Sequence, residues 1–70
     1  MKCGSRSTSV ATAIMSHLSD AQHLMKAGMV QDANTHINFV KLLTLKFDEM
    51  NVWVDYSTLD EIWEEAKTFR

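Results

Sequence analysis

Residues 30–50 read VQDANTHINFVKLLTLKFDEM, and this segment decides the fold. It is the longest apolar periodic stretch of the chain, and it contains neither Pro nor Gly, so it predicts an uninterrupted helix. After His36 the apolar side chains extend almost round the helix, at Phe39, Leu42, Leu43 and Leu45. Because a helix that is apolar on most sides is buried on more than one of them, this central helix requires two packing neighbours.

The segment before the central helix predicts a second helix that lies antiparallel to it. The apolar residues that recur there at helical spacing are Val10, Ile14, Leu18, Ala21 and Met25. Ser and Thr residues at positions 5–9 offer N-caps, and Gly28 suits the left-handed position just after the helix C-terminus. Since the turn at Gly28 is short, residues 8–27 and 30–49 should form an antiparallel helical hairpin.

The remaining chain predicts an extended connector and a third helix. Residues 52–56, VWVDY, are β-branched and aromatic, but no second good strand is evident, so they form a connector or an edge that pairs only with a partner. Asn51 could supply a left-handed cap for the central helix, and Ser57 an N-cap for a helix over residues 58–69, with Asp60 close to a capping box. We therefore expect a small all-α three-helix domain over residues 8–70, after a flexible N-terminal tail over residues 1–7.

Composition limits the class of protein. Seventy residues make one small domain, and a hydrophobic content of 46% is typical of a globular chain. There is no apolar stretch of about 20 residues and no apolar core of a signal peptide. The single Cys3 excludes an intramolecular disulfide, which fits a reducing compartment and a cytoplasmic location. Acidic residues dominate after position 48, which favours a basic protein surface over nucleic acid.

No catalytic, cofactor or metal motif is evident. The chain has no Gly-rich phosphate loop, and Cys3 lies in the expected tail, where a nucleophile is not held in position. His17, Asp20 and His23 with His36 could supply metal ligands, but the three-residue spacing turns His17 away from His23. Solvated side chains explain these residues better, so we expect a non-enzymatic protein with no cofactor and no metal site.

The aromatic residues are the most informative candidates for partner binding, because aromatics anchor protein interfaces. Trp63 lies on the apolar stripe of the third helix and is expected in the core, whereas Trp53 is about equally compatible with burial and exposure. Met residues at positions 15, 25, 29 and 50 are expected to fill gaps in the core. The candidate partner-binding residues are Trp53, Asp55, Tyr56, Glu61, Glu64 and Glu65.

The start MKCGSRSTSVATAIMSHL and the end TLDEIWEEAKTFR carry a resemblance to a known family. The chain resembles the small phage-encoded regulators, inhibitors and antiterminators, of host bacterial RNA polymerase. The resemblance implies binding to a large polymerase subunit, inhibition of sigma-dependent initiation or antitermination, and no cofactor, but it transfers no binding residues. Two alternatives remain open: a homodimeric helical adaptor without a role in transcription, and a metal-dependent module that uses His17, His23 and His36.

Overall fold

The computed structural model describes residues 7–69. Along the chain the elements are strand β1 (Ser7–Ser9), helix α1 (Val10–Lys26), helix α2 (Val30–Lys46), strand β2 (Trp53–Asp55) and helix α3 (Tyr56–Thr68). Three helices and one two-stranded antiparallel sheet confirm the predicted all-α three-helix class. Of the predicted tail, residues 1–6 with Cys3 lie outside the described residues, and Ser7 belongs to β1.

The hairpin of α1 and α2 is confirmed, and its turn shows why. Gly28 has a φ of 81°, the left-handed conformation that glycine adopts without a Cβ clash. Its amide donates to the Met25 carbonyl oxygen at 3.1 Å, and the Met29 amide donates to that of Leu24 at 2.9 Å. These two bonds form a Schellman motif, which ends α1 and lets α2 begin at Val30.

The extended segment is paired within the chain, so the prediction of an unpaired connector is wrong. Strand β2 pairs antiparallel with β1, with Ser9 opposite Trp53 and Ser7 opposite Asp55. The interaction continues into α1, where the Val10 amide donates to the Val52 carbonyl oxygen at 2.9 Å. The Ser/Thr stretch therefore supplies both the missing strand and Ser9, the N-cap of α1, whose Oγ accepts from the Thr12 amide at 3.1 Å.

Two helix ends also differ from the prediction. Helix α2 ends at Lys46, and among residues 7–69 only Gly28 has a positive φ, so Asn51 is not a left-handed cap. Asp48 and Glu49 therefore follow the C-cap Phe47 and lie outside the helix. The N-cap of α3 is Asp55, which accepts from the Thr58 amide at 3.2 Å, so β2 passes directly into α3 and the predicted Ser57 cap is wrong.

The core lies around α2, which contacts both α1 and α3 and thereby confirms the expectation of two neighbours. The largest fully buried side chains of the core are Phe39 and Leu43 on α2 and Val10 on α1. The further buried members are Ala13, Leu42, Val54, Leu59, Ile62 and Ala66. Because Val54 belongs to this cluster, β2 is fixed by side-chain packing as well as by its hydrogen bonds to β1.

Candidate functional site

Trp53 lies on the outer face of β2, with 69% of its surface exposed. Alternate residues of a strand point to opposite sides, and here Val54 points into the core while Trp53 and Asp55 point outward. The backbone of Trp53 is held by the pairing with Ser9. The sequence leaves open whether Trp53 is buried or exposed, and the structure shows that it is exposed. Its backbone is held in place by the pairing of β2 with β1.

Trp53 belongs to a short segment that is rich in exposed apolar side chains. Met50, Val52, Trp53 and Tyr56 are all large, apolar and exposed, and we call residues 50–56 the anchor segment. Tyr56 also borders an open groove of about 270 Å³ between α3 and the hairpin. Such a concentration of apolar surface on one stretch of chain is typical of protein contact sites.

Three of the four candidate acidic residues, Asp55, Glu64 and Glu65, have polar contacts within the chain. Glu64 pairs with Lys67 at 3.1 Å, and Glu65 pairs with Lys46 at 3.6 Å. Hydrogen bonds from the side chain and backbone of Thr58 lower the pKa of Asp55, which caps α3. Exposed ion pairs contribute little to stability, so a partner's basic side chains can replace them. The binding role of Trp53, Asp55, Tyr56, Glu61, Glu64 and Glu65 stays a prediction.

A second apolar surface lies on the hairpin. An open groove of about 400 Å³ runs between α1 and α2, and we call it the hairpin groove; its lining is Leu18, Ala21, Gln22, Met25, Lys26 and Ile37. Beyond it, Met15 and Leu45 are 70% and 74% exposed. The prediction that the Met residues fill core gaps is wrong, since Met15, Met25, Met29 and Met50 are all exposed.

The third feature is a cluster that the sequence interpretation assigned to solvated side chains. The Nδ1 atoms of His17 on α1 and His36 on α2 lie 2.8 Å apart, and both residues are partly buried. Asp20, one turn along α1 from His17, completes a set whose possible ligand atoms all lie within 4.8 Å of one another. We call these three residues the histidine cluster, and His23 is not part of it.

Aromatic rings form the inner wall of the histidine cluster. The Phe39 ring lies 4.3 Å from that of His17, and the half-buried Trp63 ring lies 4.8 Å from that of His36. Burial lowers the pKa of His17, and the charge of His36 lowers it further, while Asp20 opposes the shift. The neutral imidazole of His17 is therefore favoured at neutral pH.

The positions of His17 and His36 relative to the hairpin turn are the sequence feature that predicts the histidine cluster. His17 stands eleven residues before Gly28 and His36 eight residues after it, so an antiparallel hairpin brings them to similar heights. The spacing of the histidines on α1 alone separates His17 from His23 and gives no sign of a site shared with α2. The contact between helices, rather than the spacing within one helix, creates the cluster.

Comparison with protein-family models, curated proteins and solved structures gives no match for this chain. Within residues 7–69, none of the helices combines the length and the apolar content that crossing a membrane demands.

Proposed function

We propose that this chain is a non-enzymatic regulator that binds bacterial RNA polymerase in the cytoplasm, through a large subunit of that enzyme. Its effect is inhibition of sigma-dependent initiation or promotion of antitermination. The observation that carries the binding role is the exposed Trp53 on a strand held by hydrogen bonds. The choice of polymerase is supported by the resemblance of residues 1–18 and 58–70 to the phage-encoded regulators.

The energetic argument starts from the size of Trp53. An aromatic side chain buries about 150–250 Å² in an interface, and about 25 cal/mol per Å² gives roughly 4 kcal/mol for the exposed indole. Because the backbone of Trp53 is already fixed against Ser9, little backbone freedom is lost on binding. Residues with these properties are the ones that dominate binding energy when they reach a partner's pocket.

The acidic charge of α3, which follows the anchor segment, indicates that the partner surface is basic. From Asp55 to Thr68 the chain carries five acidic residues against one lysine: Asp55, Asp60, Glu61, Glu64 and Glu65 against Lys67. A basic patch on the partner would complement this helix, and such complementarity mainly raises the association rate. We therefore expect association with polymerase to slow as the salt concentration rises.

The test is a binding measurement with purified bacterial RNA polymerase core enzyme and immobilised chain. We expect Trp53→Ala to weaken binding by about 30-fold, equivalent to roughly 2 kcal/mol. Leu45→Ala is the matched control, because Leu45 is as exposed as Trp53 but lies on α2 outside the anchor segment. Glu61→Lys should lower the association rate more than it raises the dissociation rate.

Each result has a defined meaning. Equal binding by wild type and Trp53→Ala would refute the anchor segment while keeping the partner. Absence of binding by wild type would refute polymerase as the partner. A loss with Leu45→Ala as large as with Trp53→Ala would refute a contact confined to the anchor segment, because it would place α2 in the interface as well.

The hairpin groove supports a second candidate function, the homodimeric helical adaptor. Leu18 and Met25 on α1 and Ile37 on α2 present an apolar surface that a second copy would cover. The dimer predicts a mass in solution that rises with protein concentration and returns to that of one chain in Leu18→Asp. A mass of one chain at all concentrations, measured by light scattering, would exclude this candidate.

A further inference from the structure

The contact between His17 and His36 determines how many protons the two Nδ1 atoms can carry. A distance of 2.8 Å between two Nδ1 atoms is that of a hydrogen bond, so one nitrogen carries the proton and the other presents its lone pair. Both rings are partly buried, and His17 is packed against Phe39. Two imidazole nitrogens this close can also share one cation, once the proton between them has been lost.

To accept a metal ion, the two Nδ1 atoms have to move apart and the two rings have to turn until both lone pairs converge on the ion. Two imidazole nitrogens that bind one tetrahedral zinc at 2.0–2.1 Å stand about 3.3 Å apart, so the Nδ1 atoms must separate by about 0.5 Å. Asp20 lies on the exposed side of α1, within 4.8 Å of the other ligand atoms, and its short side chain can swing toward the ion. The three ligands then come from two helices that the core holds in register.

We propose that His17, His36 and Asp20 form a binding site for a divalent transition-metal ion, and that zinc fits it best. Two imidazoles and one carboxylate are donors that zinc accepts, whereas magnesium and calcium prefer oxygen ligands. Among residues 7–69 this is the one group of three such side chains close enough to share an ion. This inference is independent of the polymerase proposal, because it uses none of the residues of the anchor segment.

The surroundings of the site are also suitable. Phe39 and Trp63 pack against the His17 ring on its inner side. Open grooves reach His17 on one side and His36 on the other, and they provide a path for the ion and for a water molecule as fourth ligand.

The experiment is a zinc titration of untagged protein in a buffer that does not bind metal. The background carries Cys3→Ser, which removes the thiol as a competing ligand, and Trp53→Phe, which leaves Trp63 as the single tryptophan. Three readouts are followed: the imidazole NMR resonances of all three histidines, the fluorescence of Trp63, and competition with a chelating dye. The Trp63 ring reports on the site because it lies 4.8 Å from that of His36 and 5.4 Å from that of His17.

We expect one zinc ion per chain, with the resonances of His17 and His36 moving to the Nδ1-bound form while those of His23 stay in place. His17→Gln, His36→Gln and Asp20→Asn should each weaken binding by about tenfold or more, since even supporting residues of metal sites have effects of that size. His23→Gln is the matched control: it removes an exposed histidine from the same helix and should leave the affinity unchanged.

Several results would overturn the proposal. Resonances of His17 and His36 that stay fixed at saturating zinc would mean that the two rings form a hydrogen-bonded pair and nothing more. An equal loss of binding with His23→Gln would mean that zinc binds to surface histidines individually. The NMR readout uses no variant of a cluster residue, so it decides the question even where circular dichroism shows that His17→Gln or His36→Gln has unfolded.

Discussion

Leu43 and Leu45 provide a sharp test of how α2 is buried. The two residues lie two positions apart on the same helix, and the Leu→Ala substitution removes the same atoms from each. Leu43 is 0% exposed in the core, whereas Leu45 is 74% exposed. The difference between the two variants therefore measures burial alone.

The expected magnitudes are far apart. Leu43→Ala leaves a cavity between α2 and its neighbours, and such changes cost about 3–5 kcal/mol. A chain of this length typically has a free energy of unfolding of about 4–10 kcal/mol, so this loss is a large fraction of the total stability. Leu45→Ala removes a side chain that is only about a quarter buried, which gives about 0.5 kcal/mol or less, partly offset by the higher helix propensity of Ala.

The assay is urea unfolding followed by circular dichroism at two protein concentrations, with equal slopes required for comparison. We expect the midpoint of Leu43→Ala to fall well below that of Leu45→Ala. Losses within about 1 kcal/mol of each other would refute the assignment of Leu43 to the core and Leu45 to solvent. A large, concentration-dependent loss in Leu45→Ala would show instead that a second copy covers it.

Three further predictions concern a helix cap, a turn and a titration. Asp55→Ala should lower the midpoint of urea unfolding, and Asp55→Asn should lower it much less, because Asn still accepts from the Thr58 amide. Gly28→Ala should cost about 1 kcal/mol, since a Cβ there meets no atom within 4 Å and only the positive φ opposes it; a cost near zero would contradict this. The pKa of His17 is lowered from about 6.5 by burial and by His36, so the unfolded chain binds more protons. The melting temperature should therefore fall as pH drops below about 6.5, and it should fall less in His17→Gln than in wild type. The same dependence of melting temperature on pH in both proteins would refute the lowered pKa of His17.

Local patterns predicted the helices and the hairpin well. Apolar spacing and Gly28 gave α1, α2 and their turn, because a helix and a Schellman motif depend on residues near in sequence. The pairing of Ser9 with Trp53 was missed because a Ser/Thr stretch reads equally well as a set of helix caps, and Ser9 is in fact both. Its partner lies more than forty residues away, where no local pattern reports it.

The candidate sites divide along the same line. Trp53 was named from residue type and strand alternation, although its exposure depended on which face of β2 met the core. Spacing within α1 separates His17 from His23 and so argues against a metal site in the sequence. The structure instead joins His17 to His36 of α2. The prediction that the Met side chains fill core gaps is wrong because Phe39 and Leu43 occupy the core, and the Met side chains lie on the surface.

The β1–β2 pairing has a consequence for the order in which the molecule is completed during folding. The hairpin of α1 and α2 joins helices that are adjacent in sequence, whereas Ser9 and Trp53 lie more than forty residues apart. Once the hairpin has formed, the pairing of Ser9 with Trp53 closes only the loop over residues 47–52. The entropy of such a closure has to be recovered from the packing of Val54 and α3 onto the existing hairpin. The pairing that holds Trp53 therefore depends on a hairpin that has already formed, and we expect hydrogen exchange to show the small sheet opening more often than the hairpin.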